Sequence, residues 1–81
     1  MRSEDLNDTI EQRFGSPALF VSRCKGTLDE FGITQAELAR EAGYDAGNVN
    51  RWLNLRVVPS VKVMLILDEA LERLVTDQGV V

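Results

Sequence analysis

The stretch Thr34-Gln35-Ala36-Glu37-Leu38-Ala39-Arg40-Glu41-Ala42-Gly43-Tyr44-Asp45-Ala46-Gly47-Asn48-Val49-Asn50-Arg51-Trp52-Leu53 decides the fold. It reads as two short helices joined by a glycine turn, the plan of a helix-turn-helix, whose second helix enters the DNA major groove. Thr34 can cap the first helix, and Glu37, three residues on, can reach back to it in a capping box. Leu38, Ala39 and Ala42 form a small apolar stripe, and the two alanines let a second helix approach closely. Gly43 is a stop that tolerates positive φ. Asp45 is a good N-cap for the next helix. Val49, Trp52 and Leu53 fall at i, i+3, i+4 and give that helix its buried face. Ala46, Gly47, Asn48, Asn50 and Arg51 are left pointing outward. Asparagine and arginine hydrogen-bond to base edges and phosphates.

Outside this stretch the pattern is also helical. Ser3 can cap a first helix, with Glu4 and Asp5 in its first turn, where the helix dipole favours acids. Leu6, Ile10 and Phe14 recur every four residues as a narrow apolar stripe, and Gly15 follows as a stop. Ser16-Pro17 starts a second helix, because proline at the first helical position loses no hydrogen bond. That helix runs to about Glu30, with Leu19, Phe20, Cys24, Leu28 and Phe31 expected in the core. Leu55-Arg56-Val57-Val58-Pro59 is a loop, since the proline biases Val58 to extended geometry. Ser60 caps a last helix over about 61–76. The sequence therefore predicts an all-α bundle of five helices. Its organisation is an N-terminal helical extension over 1–15, a helix-turn-helix domain over 16–76 and a frayed tail over 77–81.

The 81 residues carry a net charge of −4, which at first argues against DNA. The distribution weakens that argument. Residues 1–15, 16–45, 46–67 and 68–81 sum to −2, −2, +3 and −3. Arg51, Arg56 and Lys62 lie in the one window without an acid, and local charge sets the attraction to phosphate. There is no histidine, which removes the commonest general base and metal ligand. One cysteine makes neither an internal disulfide nor a zinc site, and fits a reducing cytoplasm. Glu4, Asp5, Asp8 and Glu11 form an acidic helix face, which is ordinarily solvated. No phosphate-binding glycine loop is present. No enzyme, metal or cofactor is expected. No apolar run is long enough for a membrane span, and no leader opens the chain, so a cytoplasmic protein is expected.

Thr34-Gln35-x-Glu37-Leu38-Ala39-x-x-x-Gly43, then Val49, then Pro59-Ser60, resembles the phage-repressor helix-turn-helix family of Cro, lambda repressor and the xenobiotic-response-element proteins. The match runs without a gap from Thr34 to about Val61, and with flanking helices it covers roughly 16–75. The family often has serine or threonine where Asp45 stands, polar side chains at Ala46 and Gly47, glutamate at Leu53 and glycine at Leu55. The resemblance implies a lambda-repressor-like DNA-binding domain in a bacterial or phage transcriptional regulator, such as a repressor.

It also implies roles for single residues. Gln35 matches a glutamine that binds a backbone phosphate; the alternative is a solvated polar residue. Ala46 and Gly47 match base-contacting positions, where they offer backbone approach or, from Ala46, contact with a thymine methyl. Arg51 is the best base reader, because a guanidinium can grip guanine O6 and N7; the alternative is a surface ion pair. Asn48 and Asn50 suit adenine or phosphate, with Asn50 assigned to bases and Asn48 to phosphate. Asn54 and Arg56 fall at phosphate positions just after the recognition helix. Trp52 is expected in the core, and Tyr44 either packs or donates to phosphate. The partners expected are double-stranded DNA and a second copy of the chain. The homodimer would rest partly on the last helix, whose apolar residues from Val63 to Val75 spread over about half its circumference. The rival readings are a helix-turn-helix turned to protein-protein interaction, and an antitoxin that binds both its operator and a partner protein.

Overall fold

The computed structural model describes residues 15–79, which contain four helices and no strand: α1 (Pro17–Phe31), α2 (Gln35–Ala42), α3 (Ala46–Leu53) and α4 (Val61–Gly79). The helix expected over residues 3–14 lies outside the described residues, so the five-helix count is not established. α4 runs on through residues 77–79, where a frayed tail was expected.

Local chemistry sets each start. The Ser16 hydroxyl accepts from the Leu19 amide at 3.1 Å, with Pro17 in the first turn. The Thr34 hydroxyl accepts from the Glu37 amide at 3.1 Å, and the Glu37 carboxylate accepts from the Thr34 amide at 3.3 Å, a complete capping box. The Asp45 carboxylate accepts from the Gly47 amide at 2.9 Å and opens α3. Ser60 accepts from the Val63 amide at 3.2 Å and opens α4. Gly43 ends α2 at φ 79°, a left-handed geometry that a side chain resists, and this sets the angle between α2 and α3.

The core is one cluster shared by all four helices. Leu38 of α2, Val49 and Leu53 of α3, and Met64 and Leu67 of α4 are its most deeply buried large side chains. α1 contributes Phe20, Val21, Cys24 and Leu28. Phe20, Cys24 and Leu28 are buried as expected, and the expected set departs from the structure at its two ends. Leu19 is 42 % exposed, Phe31 is only partly buried, and Val21 takes the inward position. α2 and α4 pack most extensively against each other, and Arg73 of α4 ties them further at their edge. Its guanidinium donates to the Glu41 carbonyl at 3.3 Å and lies 3.7 Å from the Glu41 carboxylate.

Trp52 also departs from expectation. It packs on the rim of the core, partly buried, with its ring edge-on to Tyr44. The ring centroids are 4.9 Å apart with planes at 72°, the arrangement that aromatic quadrupoles favour. Tyr44 therefore closes the turn by packing. The apolar stripe of α4 is largely absorbed within one chain: Met64, Leu67, Ala70 and Leu71 are buried, and Val61, Val63, Leu65, Leu74 and Val75 pack on the cluster while partly exposed. Among the described residues, the large hydrophobics most open to solvent are Leu19, Leu55, Val57 and Val58, on α1 and the loop after α3.

Candidate nucleic-acid interface

α3 presents one face to the core and the other to solvent. Val49 and Leu53 anchor it, while Ala46, Gly47, Asn48, Asn50 and Arg51 are all exposed. The first turn carries almost no side chain. Ala46 and Gly47 leave the backbone open to close approach.

The polar residues of the outer face are linked to one another. The Asn50 amide Nδ2 donates to Gln35 Oε1 at 3.0 Å, across the turn between α3 and α2. Because the Gln35 oxygen is the acceptor, its amide nitrogen is left to donate, and a phosphate oxygen accepts. Asn50, assigned to bases in sequence, here holds Gln35. The Asn48 side-chain oxygen accepts from the Arg51 guanidinium one turn on. One guanidinium edge is thus held within α3, and other N–H groups of the fork remain available. Asn54 folds back, its Nδ2 donating to the Asn50 carbonyl at 3.0 Å, which closes the end of α3. That bond uses one of its two amide hydrogens, so the other can still reach a phosphate.

The loop beyond is set by two main-chain bonds. Leu55 donates to the Trp52 carbonyl at 3.0 Å, and Arg56 donates to the Arg51 carbonyl at 2.9 Å. Leu55 takes up φ 57°, the left-handed region, although it is not glycine. This is the position where the resembling family often has glycine. The Arg56 side chain is exposed beside α3, and exposed Lys62 lies in the first turn of α4. Sequence reasoning counted the Lys62 charge but gave it no role. Among the described residues, none of Arg51, Arg56 and Lys62 is ion-paired with an acid.

Gln35, Asn48, Asn50, Arg51, Asn54 and Arg56 are therefore joined through α3, its C-terminus and the start of α2, with Ala46 and Gly47 at the leading end of the same helix. The ensemble offers amide and guanidinium donors around a nearly bare first turn, the groups that phosphates and the guanine edge accept. No helix among the described residues is long and apolar enough to cross a membrane.

The sequence model of the helix-turn-helix family matches residues 27–75, from the second half of α1 well into α4. Nothing among curated proteins or solved structures matches the chain. The matched span covers well over half of the chain and contains the whole α2–turn–α3 unit, so the chain belongs to the Cro- and lambda-repressor-like helix-turn-helix family, whose members are DNA-binding regulators.

Proposed function

We propose that this protein is a cytoplasmic transcriptional regulator, of repressor type, that binds double-stranded DNA by inserting α3 into the major groove. The observation that carries this reading is the Gln35–Asn50 bond, which holds the outer faces of α2 and α3 in one fixed relation. Gln35, Asn48, Asn54 and Arg56 contact phosphates and set register. Arg51 reads a base edge. Ala46 and Gly47 allow the backbone to approach, and Asn50 acts chiefly by positioning Gln35. The binding unit is the helix-turn-helix domain over residues 16–76.

A small basic surface gives one protomer a modest grip, so a homodimer is part of the proposal. The partly exposed Val63, Leu65, Ile66, Leu74 and Val75 of α4 supply contact surface for it. A two-fold pair sets two copies of α3 ~34 Å apart, on successive major grooves, and reads a near-palindrome.

The test is selection from a random duplex pool at low salt, followed by mobility shift on the selected site and on scrambled DNA, with sedimentation equilibrium alongside. A near-palindromic site bound by a dimer supports the proposal. Association with a protein partner and no binding to any duplex would move the helix-turn-helix to an interaction role. Affinity should fall with salt, with a log–log slope of about −2 to −3 per protomer if Arg51, Arg56 and Lys62 neutralise phosphates.

A further inference from the structure

Asp45 opens α3, and the placement of its carboxylate gives it a second task. Its Oδ2 accepts from the Gly47 amide at 2.9 Å. That same oxygen lies 2.9 Å from where a Cβ at position 47 would stand. The Asp45 carboxylate therefore fills the space of the side chain that Gly47 lacks. Both residues are exposed, so the carboxylate stands on the outer side of the helix. Resting on the reading of α3 as the helix that enters the major groove, we propose that Asp45 is a specificity-determining residue. Its carboxylate accepts from the exocyclic amine of a cytosine and turns away the other bases.

A carboxylate only accepts, and its two oxygens have about four lone-pair sites. The helix cap uses one of them. Among the described residues, nothing donates to Oδ1 and no cation pairs with Asp45. Arg51, the cation on the same helix, is held by Asn48 instead. An open acceptor thus stands at the leading end of α3, the part of a recognition helix that meets base edges. Asparagine and serine cap a helix about as well as aspartate, so the cap by itself does not call for the charge.

Gly47 and Arg51 are four residues apart and share one face of α3. The Arg51 guanidinium reaches back to Asn48, toward the carboxylate. Donor fork and acceptor are thus separated along the axis by one helical turn or less, ~5 Å. Successive base pairs are about 3.4 Å apart. The two groups therefore address base pairs no more than two steps from each other.

The groove chemistry selects the base. Guanine presents two acceptors, thymine an acceptor and a methyl, and adenine an amine beside the acceptor N7. Cytosine presents its amine with no acceptor beside it. A carboxylate is attracted to that amine and repelled by the acceptors. It is also repelled by the phosphates of any duplex. Asp45 therefore weakens binding to DNA in general and restores it where cytosine stands, which is discrimination by exclusion.

The test compares the full chain with Asp45→Ser and Asp45→Asn, with circular dichroism checking that helix content is unchanged. Each protein undergoes selection from a random duplex pool at low salt. The parent should select a cytosine within two base pairs of the guanine whose selection is lost in Arg51→Ala. Its preference there should be roughly 5- to 10-fold, the lower end for a base contact. Asp45→Ser should lose that preference alone and bind scrambled duplex more tightly. In Asp45→Asn the oxygen caps and the amide nitrogen faces outward, so guanine or thymine should replace the cytosine. A second measurement places an analogue lacking the exocyclic amine at that cytosine of the selected site. Binding should weaken by the same factor in the parent and stay unchanged in Asp45→Ser. If a variant loses helix content, the analogue measured on the parent decides. Identical selected sites for parent and variants, no cytosine at that position in the parent site, or no effect of the missing amine overturns the proposal and leaves α3 as a recognition helix. A parent that binds no duplex overturns that reading, and this one with it.

Discussion

Asn50 of the recognition helix donates its side-chain amide to Gln35 of the preceding helix at 3.0 Å. The bond converts two flexible polar side chains into one unit and leaves the Gln35 amide nitrogen as the outward donor. Gln35→Ala and Asn50→Ala should therefore each weaken DNA binding, on selected and scrambled duplex alike. The double variant should cost less than the sum of the two, by about 0.5–1.5 kcal/mol, the usual worth of one such bond. Strict additivity in a double-mutant cycle would show that the two residues act separately. An Asn50 effect confined to the selected site would return Asn50 to base reading.

Arg51 is oriented by Asn48 one turn earlier on the same helix. Arg51→Ala should cost ~1–3 kcal/mol on the selected site while leaving binding to scrambled DNA much less affected. Equal losses on both would make Arg51 a phosphate contact. Asn48→Ala should act in the same direction with a smaller effect. Circular dichroism should show the same helix content in all three proteins.

Leu55 holds φ 57° without being glycine. A left-handed leucine costs ~1–2 kcal/mol, and the greater unfolded freedom of glycine takes back ~0.5–1 kcal/mol. Leu55→Gly should thus range from neutral to about 1 kcal/mol stabilising in urea melts. Leu55→Val should destabilise, since β-branching is hardest to fit there. A valine variant as stable as the parent would argue against the left-handed turn.

Burial, and secondarily the nearby Asp68 carboxylate, pushes the Cys24 thiol up from 9.0 to about 11. Below pH 9 the folded and unfolded chains both keep this proton, and stability does not depend on it. Between pH 9 and about 11 the unfolded chain releases the proton first, so stability falls as pH rises. The loss reaches roughly 2–3 kcal/mol, at about 1.4 kcal/mol per pH unit. Urea melts from pH 8 upward should show this decline in the parent and not in Cys24→Ala, once their difference at pH 8 is subtracted. Parallel pH profiles for the two proteins would remove the thiol from the explanation.

The α2–turn–α3 unit could be read from the sequence because its signals are local. The Thr34–Glu37 box, Gly43 and the Asp45 cap each act within four residues, and the structure realises all of them. The readings that failed had two causes. On α1 the phase itself was decisive: at 100° per residue Leu19 falls about 140° from the centre of the Phe20–Cys24–Leu28 stripe and Val21 about 60° from it, so Val21 turns inward. Trp52 has the phase of a core residue, yet Tyr44 meets its ring at the rim. The exposed donors of the site were all visible as residue types. Their connections were not, because Gln35 and Asn50 are 15 residues apart and nothing in the pattern of either helix specifies that bond.

The bare first turn of α3 bears on how this protein could come to read other sequences. A Cβ at position 47 would lie 2.9 Å from the Asp45 oxygen, the same oxygen that caps the helix by accepting from the Gly47 amide at 2.9 Å. A new side chain at position 47 must shift the Asp45 carboxylate that makes the cap, so a change in what is read is coupled to the start of the helix that reads it. Ala46 already carries a Cβ and is exposed, so longer side chains can be tried there one at a time. Diversification of the sequence read is then expected to pass through position 46 first, and through position 47 only together with an adjustment of the Asp45 cap.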